Sequence, residues 1–213
     1  CPQRDERLGW CGDAQVFAKT AAINFDVERF FEKWLADLAL EQRHDGAVPS
    51  IVPSGGAKTR ISAAWRDPAG ICPWQIYMAY GNERILKHQF ESMKKWVDYM
   101  HGFGDEEFLF IGGDGYGDWL GLDAPDGSLR GVTSYDLIAS AFFAYSTSLL
   151  IKAGKVLGRD MSGYERLYEG IADAFRSKFL NTDADEYNTQ TAYSLQYAKE
   201  LSAEAEKRGV TVD

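Results

Sequence analysis

The sequence predicts an all-α protein made of successive antiparallel helix pairs, the arrangement of an α-toroid or a helical solenoid. Three observations carry this reading. Apolar residues recur at helical spacing along nearly the whole chain. Only short pieces such as "FLFIG" near Phe108 could pair locally as strands. The connections alternate between brief turns such as "GRDMS" and long loops rich in Gly, Pro, Asp and Trp, a kind commonly given over to function. No short repeat of tetratricopeptide or ankyrin type is present, which lowers the solenoid reading.

The elements follow in order. A first helical reading covers Ala14–Asn24. "DVERFFEKWLADLALEQRHDG" then puts Val27, Phe30, Phe31, Trp34, Leu35 and Leu38 on one stripe, with Asp26 as the expected N-cap and Gly46 beyond the end. A shorter apolar stretch reads as helix over Pro73–Tyr80. "NERILKHQFESMKKWVDYMHG" repeats Leu86, Phe90, Met93, Val97 and Met100 at alternating steps of four and three. "TSYDLIASAFFAYSTSLLIKAGKVLG" opens with a capping-box-like Thr133 and Asp136 and stops at Gly158. "YERLYEGIADAFRSKF" stripes Tyr164, Leu167, Tyr168, Ile171, Phe175 and Phe179, and a last reading covers Thr189–Leu201. About seven helices result, with elaborate loops gathered between them.

The bulk numbers bound the function. A chain of 213 residues, 45% apolar and 26% charged, suffices for one substantial domain or two small ones with a real core. The formal charge of −9 argues against a nucleic-acid partner, because phosphate binding needs a cationic face. Three cysteines, Cys1, Cys11 and Cys72, form no CxxC pair and no metal-ligand spacing, so they read as free thiols, with Cys72 buried. No run of some 18 apolar residues is present to span a membrane, and no signal peptide is visible, which leaves the location open.

Chemistry concentrates in three stretches. The opening "CPQRDERLGWCGDAQ" interleaves Arg4, Glu6, Arg7 and Asp13 with Trp10, and Gly9 and Gly12 allow tight turning. An aromatic wall beside a carboxyl raises its pKa by desolvation, while a nearby Arg lowers it, so Glu6 could be poised as an acid; the alternative is a solvated charged turn. "WRDPAGICPW" carries Trp65, Arg66, Asp67 and Trp74, and "GGDGYGDWLGLDAPDG" carries Asp114, Tyr116, Asp118, Trp119, Asp123 and Asp126. Trp faces flanked by carboxylates suit sugar recognition, since the C–H face of a pyranose stacks on the ring and carboxylates accept from its hydroxyls. Trp74, at the start of an apolar helix, reads as core; Trp65 and Trp119, in polar loops, are candidate ligand contacts. The acidic loop fails the EF-hand template, because Tyr116 and Trp119 stand where an oxygen ligand and a glycine are needed. "GGDGYG" follows no strand and lacks the Lys and Ser/Thr of a phosphate loop. His44, His88 and His101 are scattered, so no Ser–His–Asp arrangement, metal site or cofactor is expected.

These residues resemble glycoside hydrolase family 78, the α-L-rhamnosidases. The first motif is the most specific, and "AAWRDPAGICPWQIYMAYGNERIL", "ESMKKWVDYM" and "YGDWLGLDAP" fit the same family in order along essentially the whole chain. The resemblance implies an (α/α)6 barrel, two concentric rings of helices with the active site in the loops at one end. Residues 1–213 would be a single incomplete segment, about half of that barrel, begun in the middle of a motif. It further implies Glu6 as the general acid, Arg4 and Asp13 as substrate-binding residues, and Trp10, Trp65 and Trp119 as the pocket lining, with Asp118 a weaker candidate beside Trp119.

Cys11 stands where Thr is the commoner residue. The family's substrate-binding Asp precedes Cys1, and its general base lies further downstream; Glu200, Glu204 and Glu206 match no such role. Family 78 enzymes invert configuration, so a lone acid leaves residues 1–213 inactive by themselves, and half a barrel exposes apolar inner faces that invite association. The implied partners are a rhamnose-containing glycoside and the remainder of the barrel, with no nucleic acid and no membrane. Two rival readings stay open beside this one: a different (α/α)6 glycosidase, or a catalytically silent carbohydrate-binding toroid. A helical scaffold for protein partners, with Trp65 and Trp119 as anchors, ranks last.

Overall fold

In the computed structural model, residues 5–56, 62–104, 106–180 and 187–195 are described. They form α1 (Cys11–Asn24), α2 (Glu28–Glu41), α3 (Pro68–Tyr80), α4 (Glu83–His101), α5 (Tyr135–Val156) and α6 (Ser162–Phe179). A further helical turn covers 190–195. Among the described residues there is no strand, only single bridges between Trp10 and Ile51 and between Trp119 and Arg130.

Two kinds of helix alternate. α2, α4 and α6 each bury one stripe, such as Ile85, Leu86, Phe90, Met93, Val97 and Met100 on α4, and turn polar residues outward. α3 and α5 are apolar over most of their circumference, α3 burying an unbroken run from Pro68 to Pro73. α3 packs against both α1 and α5, while α2 packs against α4. Odd helices therefore make one layer and even helices flank it, so the chain is part of an α/α toroid built of helical hairpins. α1 buries Ala18 and Ala21 but leaves Val16 and Ile23 exposed, and Phe25, Phe30 and Leu40 are exposed nearby. By length and composition α5 could cross a membrane, contrary to the sequence reading; here it is a core helix, with 72% of its most apolar window buried.

Tertiary contacts override several local signals. Helix α3 begins at Pro68, not Pro73: both prolines suit a helix start, and the earlier one occupies it while the later lies inside. Val27 holds the N-cap position of α2 instead of Asp26, because its N–H donates to the Tyr80 hydroxyl of α3 at 2.9 Å. The capping box at α5 does not form. Thr133 donates its hydroxyl to Asp118 at 3.0 Å, and Asp136 accepts the Gly112 N–H at 3.0 Å. Phe30 points outward, leaving Phe31, Leu35 and Leu38 as the buried stripe of α2. "FLFIG" is no strand: Leu109 and Phe110 are buried, and the Phe110 N–H finds Ser140 Oγ on α5 at 3.1 Å. The reading over Thr189–Leu201 is helical at 190–195; residues 196–201 lie outside the described residues.

One buried carboxylate joins the layers. Asp67, at the head of α3, is fully buried. Its Oδ1 accepts from the Trp96 indole of α4 at 2.9 Å and from the Ser146 hydroxyl of α5 at 2.5 Å. Its Oδ2 accepts the Ala64 N–H at 2.7 Å. Burial penalises the charge more than these bonds favour it, so the carboxyl is pushed up from 3.8 to about 6. The folded state then holds this proton more tightly than the unfolded chain does. Asp67's contribution to stability is therefore full below about pH 4 and is lost as pH rises through about 6. Its span is on the order of 3 kcal/mol. Denaturant unfolding of wild type and Asp67→Asn between pH 4 and 7 should show that decline in the wild type alone; parallel curves would contradict it.

Candidate functional site

The site is assembled from the segment before α1, the turn before α3 and the long loop before α5. The first of these is tied to the loop after α2 by a short antiparallel contact: Val52 N–H to Gly9 C=O at 2.9 Å and Cys11 N–H to Ser50 C=O at 2.8 Å. The two segments of this contact are so close that a Cβ on Gly9 would stand 2.1 Å from the Val52 carbonyl oxygen. The tight turn that the sequence suggested at the glycines falls instead on Arg7, whose φ is 54°. That turn brings Glu6 back onto Trp10, whose indole N–H donates to Glu6 Oε2 at 2.8 Å. Glu6 is exposed, and Trp10 meets it with its indole N–H. Asp13 is half-buried in the first turn of α1, where a carboxylate is favoured by the helix dipole. Arg4 lies outside the described residues.

Four rings make a continuous aromatic wall. Trp10 stands edge-on to Trp65 at 6.1 Å between centroids and to Tyr116 at 5.7 Å. Trp65 and Tyr116 are 4.9 Å apart, and Tyr116 meets Trp119 at 5.8 Å. The wall is half-buried except at Trp119, which is 40% exposed at its end. Trp65 lies directly over Gly12, where a Cβ would meet the indole at 2.5 Å. Trp74, by contrast, packs against the core under the Lys152 ammonium, in keeping with its reading from the sequence.

Asp118 sits beside Trp119 but is heavily engaged: its Oδ2 accepts from Thr133 at 3.0 Å and from Thr191 at 2.7 Å. Thr133 in turn meets Thr189 at 2.7 Å, so this carboxylate ties the acidic loop to the start of α5 and to the 187–195 segment. A cavity of about 400 Å³ opens next to Asp118, bordered by Gly113, Arg130, Thr133, Tyr135 and Asp136. It does not include Glu6, Trp10 or Trp65. Among the described residues no three His, Cys, Asp or Glu side chains converge on a metal position. Burial pushes the Cys11 and Cys72 thiols well up, which makes them inert packing residues.

The structure thus brings Glu6, Trp10, Trp65 and Trp119 into one neighbourhood. Sequence reasoning gave no role to Tyr116, the ring that links Trp65 to Trp119, although its place three residues before Trp119 in a glycine-rich loop was a usable signal.

Comparison with known proteins gives the family. The bacterial alpha-L-rhamnosidase six-hairpin glycosidase domain matches residues 1–213. The chain belongs to that family. Family members named alpha-L-rhamnosidase include one from Formosa agariphila, 38% identical over 211 residues, and one from Streptomyces avermitilis, 37% identical over 205 residues. These alignments take in 97% and 96% of the chain but 23% and 19% of the two relatives. Among solved structures, the Streptomyces avermitilis alpha-L-rhamnosidase complexed with L-rhamnose superposes with a TM-score of 0.80 at 35% identity, covering 97% of the chain and 20% of that protein. The alpha-L-rhamnosidase from Dictyoglumus thermophilum gives 0.81 at 31% identity, covering 92% and 22%. The chain therefore spans about a fifth of the length of these family members.

The wall's dependence on Gly12 is directly testable. Gly12→Ala should push Trp65 out of register, so the near-UV circular dichroism of the coupled rings falls by roughly half while the far-UV helical signal stays. An unchanged near-UV band would show that the rings do not rest on this contact.

Proposed function

We propose that this chain is about half of the catalytic barrel of an inverting α-L-rhamnosidase and that Glu6 is its general acid. The observation that carries the reading is the bond from the Trp10 indole to Glu6 Oε2 at 2.8 Å, at one end of the wall of Trp10, Trp65, Tyr116 and Trp119. That bond holds the carboxyl at the Trp10 end of the rings, which supports a role beside a sugar stacked on them. Arg4, Asp13 and Asp118 are proposed to take the sugar hydroxyls, with two threonine hydroxyls already at Asp118 Oδ2.

In this mechanism the Glu6 proton passes to the departing glycosidic oxygen as the bond to the anomeric carbon breaks. A water attacks the opposite face, giving its proton to a second carboxylate roughly 6.5–9.5 Å from the first. That base lies outside residues 1–213, in the remainder of the barrel. The same remainder is the natural cover for the exposed apolar side of α1, with Val16 79% and Ile23 77% exposed.

The test is hydrolysis of a panel of aryl glycosides by the full-length protein. Wild type should cleave the α-L-rhamnoside with inversion, Glu6→Gln should lose about 10²–10⁴-fold in kcat, and residues 1–213 alone should show no turnover. Cleavage of another sugar would overturn the substrate, and binding without turnover would make the protein a silent carbohydrate binder.

A further inference from the structure

The turn that presents Trp65 is held on both sides of the Ala64 Cα by side chains with no part in the mechanism above. The Ala64 N–H donates to Asp67 Oδ2 at 2.7 Å, and the Ala64 carbonyl accepts from Gln15 Nε2 of α1 at 2.5 Å. Asp67 is fully buried and Gln15 is 5% exposed, so neither reaches a ligand. Between them Ala64 adopts φ 71°, a left-handed conformation that a residue with a Cβ avoids unless its surroundings impose it. Trp65 follows directly, seated over Gly12 and edge-on to Trp10. Were the clamp released, the turn would relax towards commoner backbone and carry the indole off this seat.

We infer that Asp67 and Gln15 are positioning residues for the sugar-facing wall: together they hold the two peptide units that flank the Ala64 Cα and so fix Trp65 against Trp10. The wall's role rests on the rhamnoside reading above; the clamp itself rests only on the geometry. The two oxygens of Asp67 have separable tasks. Oδ1 serves Trp96 and Ser146 and joins α3, α4 and α5, whereas Oδ2 serves the turn alone. Asp67→Asn can keep the first set while turning an amide N–H against the Ala64 N–H. Gln15→Met removes the bond on the other side, and Ser146→Ala weakens only the interhelical set.

The experiment compares these three variants with wild type in the full-length protein, measuring kcat and KM on an aryl α-L-rhamnoside together with near-UV circular dichroism. Asp67→Asn and Gln15→Met should raise KM about five- to tenfold with kcat held within about threefold, because the lost contact is made equally in ground and transition states. Both should alter the near-UV band. Ser146→Ala should lower the melting temperature while leaving KM and the band unchanged. A KM within about twofold of wild type in the two clamp variants, or an equal rise in Ser146→Ala, overturns the inference. If Asp67→Asn does not fold, Gln15→Met decides alone. If wild type cleaves no rhamnoside, that reading fails by itself and the near-UV band decides the clamp: altered in both clamp variants it stands, retained it falls.

Discussion

The Asp67 carboxylate is the constraint from which the rest of the described structure follows. Removing a charge from water is costly unless donors replace the water, and here three do: an indole of α4, a hydroxyl of α5 and a backbone N–H of the turn before α3. The upward shift of its pKa says that the replacement is incomplete. A partly compensated buried charge tolerates little movement of its partners, because losing any one leaves the deficit larger. Three helices and one turn are thereby fixed to a point, and the turn fixes Trp65. From Trp65 the order passes to Gly12 and Trp10.

Sequence pattern revealed the helices that solvent defines. The stripes of α4 and α6 were legible, since one face meets water and the other the core, and Leu86, Phe90, Met93, Val97 and Met100 fall where the period puts them, although Ile85 and Trp96 are buried beside them. It was weaker for the layer between. α3 and α5 are buried over most of their faces, so periodicity does not mark where α3 starts, and of its two suitable prolines Pro68 takes the start. Local capping signals failed wherever a distant partner competed: Thr133 and Asp136 serve the acidic loop, and Tyr80 reaches the start of α2. The resemblance, resting on a few polar and aromatic positions, supplied the barrel that periodicity could not.

The site shows the same division. Trp10, Trp65 and Trp119 were legible because large aromatics in polar loops demand a reason, and the structure gathers them around Tyr116. The clamp was not legible. Gln15 meets Ala64 across 49 positions, and Asp67 meets Ser146 across 79 and Trp96 across 29. No local pattern encodes such pairings; they exist only once α1, α3, α4 and α5 have packed. The segment carrying Glu6 is likewise held by a distant loop, through Gly9 and Val52.

The central claim is that Asp67 acts on the sugar site through Trp65 and by no other route. A double-mutant cycle on L-rhamnose binding by the full-length protein tests it most directly, using Asp67→Asn, Trp65→Ala and the pair. The account predicts that Asp67→Asn weakens binding in the wild-type background but has no further effect once Trp65 is gone, a coupling of about 1 kcal/mol. Additive losses would mean that Asp67 supports the site through the helices alone, and would contradict it.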